Sequence, residues 1–170
     1  MNSSIVRQKP VSYRVGSFSS KVTVQPVLFE LLTEQFGNEE EAYSFIAEQA
    51  KLAKLSGIQS RLSAFVQNCL LSKLISPKFM HGYVVDSKKK DIRIESPFHD
   101  KGSKLTLDSA LHHAITAIAN EYGTTQKEIC AQYTERYKDK FKEHLTDNSR
   151  GKDVSHEMRE AMIRDLAKIK

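Results

Sequence analysis

The sequence predicts a mainly α-helical protein with a small antiparallel β-ribbon, built as two similar halves in one chain. Three observations support this prediction. Residues 104–137 have the pattern of a strand, a helix, a turn and a second helix, and the opening of that pattern occurs once before in the chain. Most other apolar residues recur at the spacing of amphipathic helices. We therefore expect two strand–helix–helix halves, with a hairpin between them and a helix at the C-terminus.

The second half shows this pattern most clearly. Residues 104–107 alternate polar and apolar side chains, which is the period of a strand with one buried face. Asp108 is suited to cap the helix that follows, and Gly123 is suited to end it in the left-handed conformation. Thr125, with Glu128 three residues later, predicts a capping box for a second helix. The half is predicted to span residues 104–145.

The opening of this half matches a segment 83 residues earlier. The matched positions are Lys21, Val22, Thr23, Val24, Leu28 and Leu32 against Lys104, Leu105, Thr106, Leu107, Leu111 and Ile115. A repeat at a constant offset indicates two copies of one structural unit. We place the first copy at residues 21–75.

The first half contains more helical segments than the second. Pro26 is tolerated in a first helical turn, so residues 27–36 are predicted to be helical, and Asn38 is suited to cap a further helix. Another apolar run at helical spacing starts at residue 59 or 60. The segment 39–55 is then either an inserted helix, which we favour, or itself the second helix of this half.

The remaining segments are an arm, a bridge and a C-terminal helix. Residues 1–20 carry basic side chains without an acid and predict a flexible basic arm. In the bridge, residues 76–103, a hairpin of residues 82–85 and 92–94 would have a basic tip. Residues 146–170 predict a final helix from residue 154, capped by Ser155. Its apolar stripe is more typical of core packing than of a partner surface or self-association: Met158, Met162, Leu166 and Ile169.

Composition excludes several classes of function. The 170 residues carry a net charge of +5 with a pI of about 9.1, which favours a polyanionic partner. Cys69 and Cys130 form neither a disulfide framework nor a metal knuckle. No phosphate loop, metalloprotease motif or nucleophile elbow occurs, so we expect no enzyme, metal or cofactor. No apolar run approaches a membrane span or a secretory signal, so a cytoplasmic location is expected.

The strand, the helix, the glycine turn and the second helix resemble the ribbon-helix-helix pattern of DNA-binding repressors. Two copies in one chain resemble the single-chain, tandem members associated with conjugative DNA transfer. In that family two strands pair into an antiparallel ribbon that enters the major groove. The resemblance implies sequence-specific DNA binding and transcriptional control of the transfer genes of a plasmid or other mobile element. A relaxosome accessory protein at a transfer origin is an alternative with the same sequence features.

The resemblance also implies which residues contact DNA. With the apolar strand residues facing the core, the predicted base contacts are Lys21, Thr23, Lys104 and Thr106. The start of the family's second helix binds phosphate through backbone N–H groups, which implies Thr124 and Thr125 and, in the first half, Ser60 and Arg61. Arg14 of the arm and the loop lysines are further predicted phosphate contacts: Lys88, Lys89 and Lys90.

Two rival functions use the same sequence differently. Residues 117–137 have the spacing of a helix-turn-helix, in which Gln126, Lys127 and Cys130 would begin the recognition helix. The preceding strand and its duplicate favour the ribbon, because a helix-turn-helix needs neither. From a different class, an antitoxin or adaptor protein would bind a partner protein through the C-terminal helix.

Overall fold

The computed structural model describes residues 8–88, 91–95, 104–145 and 151–168. Within these ranges the chain is mainly helical and contains two separate two-stranded antiparallel sheets. It divides into two units. The first contains the residues up to Leu74 together with 84–88, and the second contains residues 75–83 and the described residues from 91 onward.

The first unit is a β-hairpin followed by three helices. The strands are β1 (Lys9–Val15) and β2 (Phe18–Val24), and the helices are α1 (Pro26–Phe36), α2 (Glu39–Leu55) and α3 (Leu62–Leu74). The strands pair from Lys9↔Val24 to Val15↔Phe18. One face of the hairpin is buried and contributes Val11, Tyr13, Val22 and Val24 to the core, where β1 packs on α2 and β2 packs on α3.

Local signals set the helix boundaries of this unit. Pro26 occupies the first turn of α1, and Gly37 ends the helix with a φ of 85°. The side chain of Asn38 caps α2, because its Oδ1 accepts a hydrogen bond of 2.8 Å from the N–H of Glu41. Pro26, the end of the helix at Phe36 and the cap at Asn38 follow the sequence predictions.

The second unit contains a hairpin and four helices. Its elements are α4 (Pro77–Met80), β3 (Ile92–Glu95), β4 (Lys104–Leu107), α5 (Ser109–Glu121), α6 (Gln126–Leu145) and α7 (Gly151–Lys168). Strand β3 pairs with β4 in the register Ile92↔Leu107 to Glu95↔Lys104. Leu105 and Leu107 are fully buried, as the alternation predicts. Gly123 has a φ of 63°, which agrees with its predicted role in ending α5.

After its short helix α4, the second unit repeats the element order of the first, which is a hairpin and then three helices. The buried residues match at the predicted offset of 83, since Leu28 and Leu32 of α1 correspond to Leu111 and Ile115 of α5. The repeat is therefore larger than the sequence suggested, because it includes a further strand before each predicted strand and a third helix in each half. A mainly helical fold with small antiparallel sheets is confirmed.

The expected pairing of the two repeated strands is wrong. Strand β2 pairs with β1, and β4 pairs with β3, so among the described residues each repeated strand takes its partner from its own unit. The helices explain why. At the edge of β2, the N–H groups of Thr23 and Gln25 donate to Ser63 Oγ (3.0 Å) and Gln67 Oε1 (3.1 Å) of α3. These donors are therefore not available to another strand.

An equivalent contact occurs at β4. Arg159 of α7 donates from its Nη1 to the carbonyl oxygen of Thr106 at 3.0 Å. Burial lowers the pKa of the Arg159 guanidinium, and Asp108 and Asp91 oppose that shift. In each unit the third helix therefore bonds the backbone of the second strand, at Thr23 in one and at Thr106 in the other.

Two further expectations are corrected. The predicted flexible arm 1–20 contains strand β1 and the start of β2, because Val11 and Tyr13 provide an apolar face that the core buries. Residues 82–85 do not form the predicted hairpin with 92–94, and Val84 is 77% exposed. Without a buried face the segment gains little from pairing, and Ile92–Glu95 pairs with β4 instead.

The C-terminal helix forms, and its apolar stripe is packed in the core, which is the interpretation that the sequence favoured. The described part of helix α7 spans Gly151–Lys168, so Ser155 lies inside the helix rather than at its cap. Met158, Met162 and Leu166 are buried within their own unit, where α7 packs against α6 and β4. The stripe is therefore core, and these three side chains are not available to a partner. Ile169 lies outside the described residues.

Candidate nucleic-acid interface

The outward face of the β1–β2 hairpin is polar and basic. Alternation places the exposed side chains of Ser12 and Arg14 on β1 on the same face as those of β2: Ser19, Lys21 and Thr23. The register sets Ser12 opposite Lys21 and Arg14 opposite Ser19. Arg14 and Lys21 are thus diagonal neighbours, for which the Cα atoms of an antiparallel pair lie roughly 7–8 Å apart. The two predicted contacts Lys21 and Thr23 lie on this face, and so does Arg14.

The hairpin carries positive charge without compensating acids. Residues 8–25 contain Lys9, Arg14 and Lys21 and no Asp or Glu. Lys9 belongs to the inner side, since its Nζ lies 3.8 Å from the ring centroid of Phe29. The cations of the outward face are therefore Arg14 and Lys21.

Several contacts hold this face in place. The buried side chains of the inner face attach the strands to the helices below. Gly16 forms the turn with a φ of 59°, a conformation that glycine adopts without strain. Arg14 Nε donates to Ser19 Oγ across the strands at 3.2 Å. Four of the outward residues also border a shallow, open depression of about 450 Å³: Ser12, Arg14, Ser19 and Lys21.

The second hairpin differs in charge. Arg93 is exposed opposite the half-buried Thr106, and Lys104 stands opposite Glu95. The side chain of Lys104 lies outside the described part of the chain. Residues 91–108 contain four acids and three Lys or Arg residues, so this hairpin has no basic excess. Lys104 and Thr106 belong to a different two-stranded sheet from Lys21 and Thr23.

Thr124 and Thr125, the predicted phosphate contacts at the start of α6, form a helix cap with Glu128. Thr125 Oγ1 accepts from the N–H of Glu128 at 3.2 Å, and Glu128 Oε2 accepts from the N–H of Thr125 at 3.1 Å and from the hydroxyl of Thr124. The hydrogen bond from Thr124, followed by the bond from the Thr125 backbone, lowers the pKa of the Glu128 carboxyl. The predicted capping box is confirmed. Its carboxylate places negative charge where a phosphate would have to bind.

The other predicted phosphate contacts lie elsewhere. Arg61 immediately precedes α3 and has a φ of 54°, a left-handed conformation that costs a residue other than glycine of order 1–3 kcal/mol. Ser60 beside it is exposed. Lys88 is exposed in the loop where its N–H donates to Asp86 Oδ1 at 2.9 Å. Lys89 and Lys90 lie outside the described residues.

In the helix-turn-helix alternative the start of α6 is the recognition helix, and few of the side chains expected to read DNA are exposed there. Gln126 Nε2 donates to Thr116 Oγ1 of α5 at 2.7 Å, so its amide is held in the contact between the two helices. Cys130 is fully buried, and burial raises the pKa of its thiol to about 12. Of the three residues expected to begin that helix, Lys127 alone is exposed.

Sequence reasoning missed the contribution of β1 to the interface. Ser12 and Ser19 were not predicted as contacts, and Arg14 was predicted on a flexible arm rather than on a strand. The signal was present, because Val11, Tyr13 and Val15 alternate with Ser12 and Arg14. The turn at Gly16 and Ser17 then separates two alternating runs, which is the pattern of a hairpin.

Comparisons with known proteins return no match from family models, curated proteins or solved structures. In the described ranges no group of three or more His, Cys, Asp and Glu side chains could hold a metal ion. No helix there is both long enough and apolar enough to cross a membrane.

Proposed function

We propose that the chain is a sequence-specific double-stranded-DNA-binding protein that reads the major groove with the β1–β2 hairpin. The observation that supports this proposal is the outward face of the hairpin. It combines Arg14 and Lys21 with the small hydroxyls of Ser12, Ser19 and Thr23, and contains no acid. The proposed reading ribbon is therefore the pair of β1 and β2, whereas the sequence predicted a ribbon made of β2 and β4.

The shape and chemistry of this face suit a groove. A two-stranded ribbon fits the major groove of B-DNA, and alternate side chains on one face reach the base edges. Arginine and lysine donate to O6 and N7 of guanine, whereas serine and threonine hydroxyls both donate and accept. Since the inner face is packed on the helices and one edge is bonded to α3, the ribbon is held rigid before it meets DNA.

Control of conjugative transfer genes is the regulatory role that we propose, and it draws on the sequence resemblance. A relaxosome accessory protein would use the same face at a transfer origin. Two duplex probes separate these roles, one from the flanks of the protein's own operon and one from a neighbouring transfer origin. Regulation predicts the tighter binding at the operon flanks.

The experiment measures duplex affinity by fluorescence anisotropy at fixed salt for Arg14→Ala and Lys21→Ala. We expect each variant to lose about 1–3 kcal/mol of binding free energy if the side chain contacts a base. The thermal midpoint should change little, because both side chains are exposed. Lys73→Ala is the matched control. It removes an exposed lysine from the last turn of α3, about 15 Å along the helix from Ser63.

Two results would contradict the proposal. Arg14→Ala and Lys21→Ala could bind as tightly as the wild type, or Lys73→Ala could lose as much affinity as they do. If Lys127→Ala were instead the variant that lost specificity, the helix-turn-helix alternative would gain support.

A further inference from the structure

The helices of the second unit line a partly open cavity of about 640 Å³. Its lining includes the aliphatic side chains of Ile118, Ile129 and Leu166 and the phenol rings of Tyr122 and Tyr133. Ile129 and Leu166 are buried, whereas Tyr122 is 73% exposed at the mouth. A volume of this size lies within the usual range of small-molecule sites, which is about 300–1,000 Å³.

Charged groups are concentrated on one side of this cavity. Asp165 accepts a hydrogen bond of 2.9 Å from the hydroxyl of Tyr133 and pairs with Arg136 at 3.0 Å. The Asp165 carboxylate is therefore already bonded, while the Arg136 side chain is 64% exposed and guanidinium has five N–H donors. Lys168 adds a second, exposed cation to the lining. The two cations outnumber the single acid, so this side favours an anionic group.

At the equivalent place in the first unit two aromatic rings are in contact. Phe36 at the end of α1 packs on Phe45 of α2 with ring centroids 5.2 Å apart, and Lys73 of α3 lies 4.9 Å from the Phe45 ring centroid. The repeat places Ala119 at the position of Phe36, at an offset of 83.

The second ring is also replaced. Buried Ala42 and Ile46 of α2 correspond to Ile129 and Tyr133 of α6 at an offset of 87, which places Gln132 at the position of Phe45. Gln132 lines the cavity. At these two positions the first unit therefore has a pair of aromatic rings, whereas the second unit has Ala119 and Gln132.

We infer that the second unit binds a small molecule with a flat apolar body and one anionic group. The body would lie between the aliphatic wall and the tyrosine rings, and the anionic group would meet Arg136 and Lys168. The inference does not rest on DNA binding, because the cavity and the basic hairpin belong to different units. Binding of the small molecule is measured without DNA.

The test uses two fluorescent probes on the full-length protein without DNA. The first is 1-anilinonaphthalene-8-sulfonate, and the second is its neutral counterpart N-phenyl-1-naphthylamine. We expect the sulfonate to bind with one site per chain, and the neutral probe to bind several-fold more weakly. Gln132→Phe should weaken sulfonate binding at least tenfold by restoring the missing ring, and Lys168→Gln should weaken it several-fold by removing a cation.

Ala131→Phe is the matched control for the added ring. Ala131 is exposed on α6 and does not line the cavity, so this variant should bind like the wild type. The inference is overturned if the wild type shows no saturable site, if both phenylalanine variants bind alike, or if the two probes bind equally. Should Gln132→Phe fail to fold, Lys168→Gln decides alone. It replaces an exposed side chain in the last turn of α7, and unchanged binding in that variant would overturn the inference.

Discussion

At the scale of single residues, the start of α6 shows how a short sequence signal becomes stability. Glu128 accepts hydrogen bonds from Thr124 and Thr125, and these bonds lower the pKa of its carboxyl. A carboxyl whose folded pKa is depressed adds stability at pH values above its unfolded pKa, and this stability is lost as the pH falls through the folded pKa. The negative charge also lies at the positive end of the helix dipole.

Glu128→Gln should therefore lower the thermal midpoint most at neutral pH. The glutamine keeps the shape and a hydrogen-bond acceptor but removes the charge, so the difference from the wild type should shrink as the pH falls below the unfolded carboxyl pKa of roughly 4.3. Thermal unfolding followed by circular dichroism between pH 7 and pH 3 measures this. Glu48→Gln, in the middle of α2, is the control. A constant difference across this pH range would show that the charge of Glu128 does not stabilise the fold.

At the scale of secondary-structure elements, the third helix determines the strand pairing. In the first unit Ser63 and Gln67, one helical turn apart, accept from alternate N–H groups on the edge of β2. Gln67 is 7% exposed and Gln25 is 6% exposed, so this second bond is buried. Loss of a buried hydrogen-bond partner leaves the other group unsatisfied and costs about 1–3 kcal/mol.

Gln67→Leu should consequently lower the free energy of unfolding by about 1–3 kcal/mol, because the N–H of Gln25 loses its acceptor in a buried place. Ser63→Ala is the matched comparison. It removes the acceptor of Thr23, whose side chain is exposed and whose N–H can be hydrated, so its cost should be smaller. Urea unfolding of both variants measures the two costs. Equal costs, or a larger cost for Ser63→Ala, would contradict the idea that burial of the edge bond matters.

At the scale of the whole molecule, the two repeated units differ in charge and in packing. The first hairpin has three cations and no acid in residues 8–25, whereas residues 91–108 have more acids than Lys and Arg. Phe36 and Phe45 are in contact between α1 and α2 of the first unit, and a partly open cavity lies between the helices of the second unit. The two units therefore differ in charge and in side chains at positions that the repeat makes equivalent.

The salt dependence of DNA binding should reveal which hairpin meets the phosphates. Cations that neutralise phosphates release counterions, so log K should fall linearly with log salt. Arg14→Ala and Lys21→Ala should each reduce the slope by about one if they contact phosphate, while Arg93→Ala and Lys104→Ala on the second hairpin should leave it unchanged. Binding isotherms between 50 and 200 mM salt, roughly the range over which such slopes are read, measure the four slopes. A flat salt response in the wild type would exclude the proposed interface, and a reduced slope for Lys104→Ala would return the second hairpin to it.

Much of the local structure could be predicted from the sequence because local interactions determine it. The cap at Asn38, the helix end at Gly123 and the capping box at Thr125 depend on residues within a few positions of one another. The alternation in β2 and β4 identified their buried faces correctly. For the same reason Lys21 and Thr23 were predicted on an exposed face of a strand.

The sequence by itself therefore determined most of the helices, the helix boundaries at Asn38, Gly123 and Thr125, the buried face of each repeated strand and the existence of a repeat. Only the tertiary structure decided which strands pair, because every residue except proline offers the same backbone donor and acceptor and alternation specifies a face but not a partner. The positions of Ser63, Gln67 and Arg159 beside β2 and β4 made that decision. Tertiary packing also placed the stripe that includes Met158 in the core, since an apolar helix face is buried equally well by its own chain or by a partner.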